Sequence, residues 1–137
     1  MLRNIFKLSY QRAIVPDYHG FFTAFYEKLL KQDSAIAELF RLTDMENQKR
    51  MLMHSMSCIT GYSATMEADE ELEHIARLHG RERLNLPVKF YDIWLECLID
   101  TIRDKDPKYN EHIERAWREV MNPGIEYMKS FCDPQKD

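Results

Sequence analysis

Residues 70–79, with the sequence EELEHIARLH, show a helical pattern of apolar residues that ends on a histidine. The apolar residues Leu72, Ile75 and Ala76 recur at the spacing of one helix face, and the final histidine continues that face. The other histidine, His74, falls on the charged face. A neutral imidazole on an apolar helix face suits a metal ion or a haem iron, but it also suits a core histidine bonded to a backbone carbonyl. This stretch alone leaves both interpretations open.

The rest of the chain has the same helical periodicity, and we predict seven helical segments and no strand. The residues that indicate these segments span 2–13, 21–30, 35–40, 43–59, 70–79, 87–102 and 109–131. Helix-start signals occur at Asp17, Asp33 and Thr43, and again at Asp106-Pro107. Pro87 is predicted at a first helical position, residues 60–69 are predicted to contain a loop, and Pro123-Gly124 is predicted to kink the last helix.

Composition excludes several classes of protein. The 137 residues, 45% of them hydrophobic, suit one globular domain over residues 1–137 rather than a disordered chain. Four glycines and five prolines are too few for a fold of many short strands, so we predict an all-α fold. A net charge of −4 argues against nucleic-acid binding, and no apolar run of ~20 residues is present that could span a membrane.

The cysteines, the remaining histidines and the acidic run indicate no further metal-binding or catalytic site. The cysteines Cys58, Cys97 and Cys132 have neither disulfide-framework nor CxxC spacing, and no secretion signal is evident at the amino terminus, so we predict a cytoplasmic protein. The remaining histidines, including His54, form no metal-binding motif with their neighbours. The acidic run that contains Glu71 is typical of a solvated helix start.

Three polar residues fall on predicted apolar faces, namely Tyr26, Gln48 and His79. Burying such a group without a partner costs ~1–3 kcal/mol, so each needs a hydrogen bond or a ligand. Apolar side chains between them would form a slot for a planar cofactor. The predicted slot residues are Phe25, Phe40, Leu52, Met56, Ile75 and Phe90. The alternative is that these residues are plain core and that the polar groups bond to the backbone.

The order and spacing of these residues resemble the globins, in particular single-domain bacterial globins related to the haem domain of flavohaemoglobins. The resemblance covers residues 2–131. The matching positions are Phe25-Tyr26, Leu39-Phe40, Gln48 with Leu52, residues 75–79, and Tyr91-Asp92. One departure is that the proximal glutamate of those domains has no clear counterpart after Trp117.

The resemblance implies a globin fold of about seven helices around a pocket that binds one haem b. It implies that His79 is the proximal iron ligand, that Tyr26 and Gln48 are distal hydrogen-bond donors, and that Tyr91 belongs to the proximal pocket. Haem propionates need cationic partners near the surface, and Lys49, Arg81 and Arg83 lie beside the predicted pocket. We expect one of these three cations to pair with a propionate.

The function implied by the resemblance is reversible binding of oxygen or another diatomic gas such as nitric oxide or carbon monoxide, for sensing, scavenging or storage. The alternative is an enzyme, either a nitric oxide dioxygenase or a weak peroxidase, that takes electrons from a separate reductase. A third hypothesis is a haem-free helical interaction module. His79 on an apolar face argues against that module, which has no need to bury an imidazole.

Overall fold

Seven α-helices and one short 3₁₀ helix form the described part of the chain, residues 2–81 and 83–132, in this computed structural model. The helices are α1 (Leu2–Ala13), α2 (Tyr18–Leu29), α3 (Ser34–Leu39), α4 (Met45–Thr65), α5 (Glu70–His79), α6 (Lys89–Lys105) and α7 (Glu111–Lys129), with the 3₁₀ helix at Val15–Asp17. None of these helices is long and apolar enough to cross a membrane. The predicted all-α fold of about seven helices is confirmed.

Short polar side chains start several helices, and two of the three predicted starts ahead of α2, α3 and α4 are confirmed. Asp17 accepts a hydrogen bond from the Gly20 amide at the start of α2, and Asp33 begins α3 in the same way. For α4 the cap is Asp44 rather than Thr43. The Asp44 carboxylate accepts from two backbone amides at once, which one hydroxyl does less well.

The boundaries around α4 and α6 differ from the predicted ones. Residues 60–69 contain a loop as predicted, but the loop is short, because α4 continues to Thr65 and ends on Met66 in the left-handed conformation, with φ 58°. Pro87 lies two residues before α6, which begins at Lys89, so its predicted place as a first helical residue is wrong. The last helix continues through Pro123, and α4 packs closely on it at Gly124, where a Cβ would lie 2.7 Å from Ile59 Cγ2.

A buried carboxylate ties the first helix to the end of α6. Asp106 does not cap α7, whose cap is Asn110; it ends α6 and is only 2% exposed. Its carboxylate accepts from Ser9 Oγ at 2.6 Å and from Arg12 Nε at 2.7 Å. The Ser9 oxygen in turn accepts from the buried Trp117 indole at 2.9 Å. From the sequence Asp106 was predicted to be a helix cap. Its actual partners lie far away along the chain, and no local pattern in the sequence marks them.

Replacing Asp106 by asparagine should lower the free energy of unfolding by about 1–2 kcal/mol at neutral pH, because a charged hydrogen-bond acceptor is lost. Burial alone would raise the pKa of the Asp106 carboxyl, but hydrogen bonds from Arg12 and Ser9 hold it below its usual value. The contribution is therefore present above the unfolded-state pKa and is lost as the pH falls through the folded-state pKa. Urea unfolding at neutral and acidic pH measures both effects. Equal stability of the two proteins at neutral pH would contradict the prediction.

Candidate functional site

A cavity of about 530 Å³ lies where α2, α3 and α4 face α5 and α6, with α7 at its base. Most of the side chains that line it are apolar. Its volume is within the range of pockets that bind small molecules and cofactors. The cavity is therefore the main candidate site among the described residues.

Nine residues predicted from the sequence line this cavity together, although they come from four different helices and two connections. They are Tyr26, Phe40, Gln48, Leu52, Ile75, His79, Arg83, Phe90 and Tyr91. The structure thus brings the three polar residues Tyr26, Gln48 and His79 to one space.

Two of the predicted slot residues do not line the cavity. Phe25 is fully buried, and its ring packs edge-on against Tyr26 and Trp94, with ring centroids 5.1 Å and 5.9 Å away. Tyr26 and Trp94 both line the cavity, so Phe25 packs against the outer side of two residues of the cavity wall. Met56 is also buried in the core outside the lining. Phe25 directly precedes the lining residue Tyr26, and Met56 directly follows the lining residue Ser55. Successive residues on a helix are turned by about 100°, so each faces the core instead.

Two of the three predicted cations are engaged elsewhere. Lys49 Nζ lies 2.9 Å from both Glu46 Oε2 and Thr23 Oγ1, and it does not line the cavity. Arg81 lines a separate polar pocket of about 240 Å³ between α5 and α7. Arg83 is the predicted cation that lines the cavity.

The His79 imidazole has one nitrogen fixed by the backbone. Its Nδ1 lies 2.8 Å from the Ile75 carbonyl oxygen, and since a carbonyl only accepts, Nδ1 carries the proton. Burial lowers the pKa of His79, so the ring is neutral and Nε2 keeps its lone pair. Histidines that bind metals commonly donate their other N–H to a carbonyl. The backbone bond therefore fits both of the interpretations that the sequence left open, whereas His74 is exposed.

The end of α5 is held against the end of α7. Gly80 permits this contact, because a Cβ there would lie 2.6 Å from the Phe131 carbonyl oxygen. The same carbonyl accepts from the Arg81 amide at 2.9 Å. The Cys132 thiol lies 3.8 Å from the His79 carbonyl oxygen, to which it donates. These contacts fix the backbone that carries the His79 side chain.

Tyr91 lines the cavity and carries a buried hydroxyl. Its Oη makes no hydrogen bond of standard geometry to the described residues. Burial and the adjacent Cys132 thiol raise the pKa of Tyr91, so the phenol stays protonated at neutral pH. Sequence reasoning missed Cys132 here, because no motif marks a contact between two residues 41 positions apart.

On the opposite side of the cavity, Tyr26 and Gln48 form a hydrogen-bonded pair. The Gln48 side-chain amide donates to Tyr26 Oη at 3.2 Å. Burial raises the pKa of Tyr26 to about 12, against a small lowering by Gln48, so the phenol stays protonated at neutral pH. Because Tyr26 Oη accepts from Gln48, its own O–H is left to donate to another group.

The structure also shows cavity-lining residues that were not predicted from the sequence to belong to the site. They are Leu29, Ile36, Thr43, Met51, Ser55, Ile59, Leu78, Leu84, Leu86, Trp94, Ile125 and Met128. Helical spacing from Tyr26 could have indicated Leu29, but the α7 residues reach the cavity only through long-range packing. Among them Met51 and Leu84 are 52% and 58% exposed. Apolar side chains that are exposed and also line a cavity are typical of a binding site for an apolar molecule.

Comparisons with known proteins agree with this geometry. A sequence model of the globin family, described as Globin, matches residues 23–126. The fold is similar to the crystal structure of a protein from Pseudomonas aeruginosa PAO1 that is described as structurally highly homologous to a human hemoglobin. The two are 28% identical with a TM-score of 0.86, over 97% of this chain and 100% of that one. A search of curated proteins found no significant match. The family match spans most of the chain, which therefore belongs to the globin family.

Proposed function

We propose that this globin binds one haem b in the cavity and reversibly holds oxygen or another diatomic gas there. The observation that carries the proposal is the state of His79, a neutral imidazole on the cavity wall with Nδ1 bonded to Ile75 and Nε2 available to a metal. The cysteine pattern of the sequence supports the further proposal that the protein works in the cytoplasm.

The residues of the cavity fit a haem. The apolar lining suits a porphyrin ring, and the exposed apolar side chains at the rim, Met51 and Leu84, would be covered by it. His79 would hold the iron from α5, and Tyr91 lines the same cavity from α6. When bound, haem supplies the iron atom to which a diatomic gas binds.

Tyr26 and Gln48 would hold the gas by hydrogen bonding. The Tyr26 phenol is protonated, and its O–H is available because Gln48 already donates to the oxygen. We propose that Tyr26 is the direct donor and that Gln48 is a positioning residue, which acts mainly by orienting that hydroxyl. The packing of Tyr26 against Phe25 and Phe40 restricts the ring and supports this assignment.

Arg83 is the cation that we propose as the partner of a haem propionate, because it lines the cavity while Lys49 and Arg81 do not. Arg83→Ala should speed haem transfer to an acceptor apoglobin by roughly two- to fivefold. This is the change in rate expected from losing the free energy of one exposed ion pair. Lys49→Ala and Arg81→Ala are matched controls and should transfer haem at the wild-type rate. Transfer at one rate in all four proteins would exclude Arg83 as the partner.

Gas binding to the haem-loaded, reduced protein tests the proposed function. We expect the absorption spectrum to change when oxygen is added and to return when oxygen is removed, over repeated cycles. Irreversible oxidation in the first cycle would contradict reversible binding. Stopped-flow mixing with nitric oxide in the presence of a reductant identifies the enzymatic alternative, since only a dioxygenase would consume many equivalents per chain. A protein that takes up no haem would instead support the interaction module.

A further inference from the structure

We propose that His54, Cys58 and Glu71 form a zinc-binding site on the surface where α4 packs against α5, away from the haem cavity. One histidine nitrogen, one thiol sulfur and one carboxylate oxygen lie within 4.8 Å of one another here. His54 Nε2 is 2.5 Å from Glu71 Oε2, and Cys58 Sγ is 3.7 Å from Glu71 Oε2 and 3.9 Å from His54 Nε2. None of the three residues lines the cavity.

The donor set suits Zn²⁺. Zinc binds histidine nitrogen, thiolate sulfur and carboxylate oxygen at about 2.0–2.3 Å in tetrahedral geometry, and a water molecule can complete a site with three protein ligands. Such bonds place neighbouring ligand atoms about 3.3–3.7 Å apart. Both contacts of Cys58 are close to that spacing, and only the His54–Glu71 pair must open. Both of those side chains are exposed, so the opening needs no change in the core.

The surrounding charge favours a cation at this place. Among the described residues no lysine or arginine pairs with Glu71, whereas the neighbouring Glu73 is neutralised by Arg77. Burial raises the pKa of the Cys58 thiol, and the negative charges of Asp69 and Glu71 raise it further. A divalent cation would balance this negative charge. The Cys58 thiol proton would pass to solvent as the zinc–sulfur bond forms.

The site was not visible in the sequence, where His54 was predicted to have no metal-binding motif and Glu71 to be a solvated helix start. His54 and Cys58 are four residues apart and share one face of α4, which gives only two ligands. The third comes from α5, 13 residues further along the chain. Zinc at this place would join α4, which carries Gln48, to α5, which carries His79.

Isothermal titration of the purified protein with Zn²⁺, with and without haem, tests the proposal. The haem-loaded form matters because it prevents zinc from binding at His79. We expect one Zn²⁺ per haem-loaded chain, at least one per haem-free chain, and at least about tenfold weaker binding to the haem-loaded form in His54→Ala and in Glu71→Gln. His112→Ala and Glu73→Gln are matched controls, and they should bind Zn²⁺ as the wild type does.

Protection of the thiol gives a second readout that does not depend on a variant folding. Zn²⁺ should slow alkylation of Cys58 by iodoacetamide, measured on the Cys58 peptide by mass spectrometry. The rate for Cys97, which lies in α6 outside the site, should be unchanged. Zinc binding that survives His54→Ala together with Glu71→Gln would overturn the proposal, as would absence of binding to the wild type or alkylation of Cys58 at the same rate with and without Zn²⁺.

Discussion

Replacing His79 by alanine should weaken haem binding by more than about 100-fold, because the variant lacks the nitrogen that we propose as the iron ligand. The wild-type imidazole is held in place by its Nδ1 bond to the Ile75 carbonyl, so the lone pair of Nε2 requires little reorganisation to bind. The measurement is the fraction of haem retained on gel filtration, followed by the absorption spectrum. Added free imidazole should restore part of the histidine-ligated spectrum.

The control for this experiment lies in the same helix. His74 is exposed on the charged face of α5, so His74→Ala should keep both the haem and its spectrum. If the His74 variant lost haem while the His79 variant retained it, the assignment of the iron ligand would be wrong. Restoration by imidazole also separates a missing ligand from general unfolding, which imidazole would not repair.

Replacing Tyr26 by phenylalanine should speed oxygen dissociation by roughly 10- to 100-fold. Oxygen in such a complex carries partial negative charge, and a hydrogen bond to it is worth about 1.4–2.8 kcal/mol at 1.4 kcal/mol per tenfold change in rate. The substitution keeps the ring that packs on Phe25 and Phe40 and removes only the donor. Stopped-flow displacement of oxygen by carbon monoxide measures the rate.

Gln48→Leu should have a smaller effect on the oxygen rate, because Gln48 acts by orienting Tyr26. Carbon monoxide accepts hydrogen bonds only weakly, so its own dissociation rate should change little in either variant. An oxygen dissociation rate in Tyr26→Phe within about twofold of the wild-type rate would correspond to less than about 0.5 kcal/mol. That result would contradict the proposal that Tyr26 donates a hydrogen bond to the gas. Such a result would leave haem binding through His79 intact.

Local signals in the sequence predicted most of the fold. Apolar periodicity indicated every α-helix but not the 3₁₀ helix at Val15–Asp17. Asp17 and Asp33 marked two of the helix starts, because a cap depends on neighbouring amides alone. Asp106 shows the limit of such signals. It resembles a cap in the sequence, but its carboxylate is held by Ser9 and Arg12 from α1, which only the tertiary structure brings near.

The sequence predicted about as much of the candidate site as it did of the fold. Tyr26, Gln48 and His79 stood out as polar groups on apolar faces, and all three line the cavity. The sequence could not indicate which of the three cations lines the cavity. Lys49, for example, forms hydrogen bonds with Glu46 and Thr23 instead, and the bond to Thr23 depends on the tertiary structure. The hydrogen bond from Gln48 to Tyr26 was not predictable either, because it depends on the separation of two helices.

Titration of the wild-type protein with haem, followed by the Soret absorption band, tests whether this cavity binds one haem. We predict a sharp rise that saturates at one haem per chain, with a spectrum that requires His79. A titration with no saturation point, or one that is identical in the His79→Ala variant, would contradict this prediction.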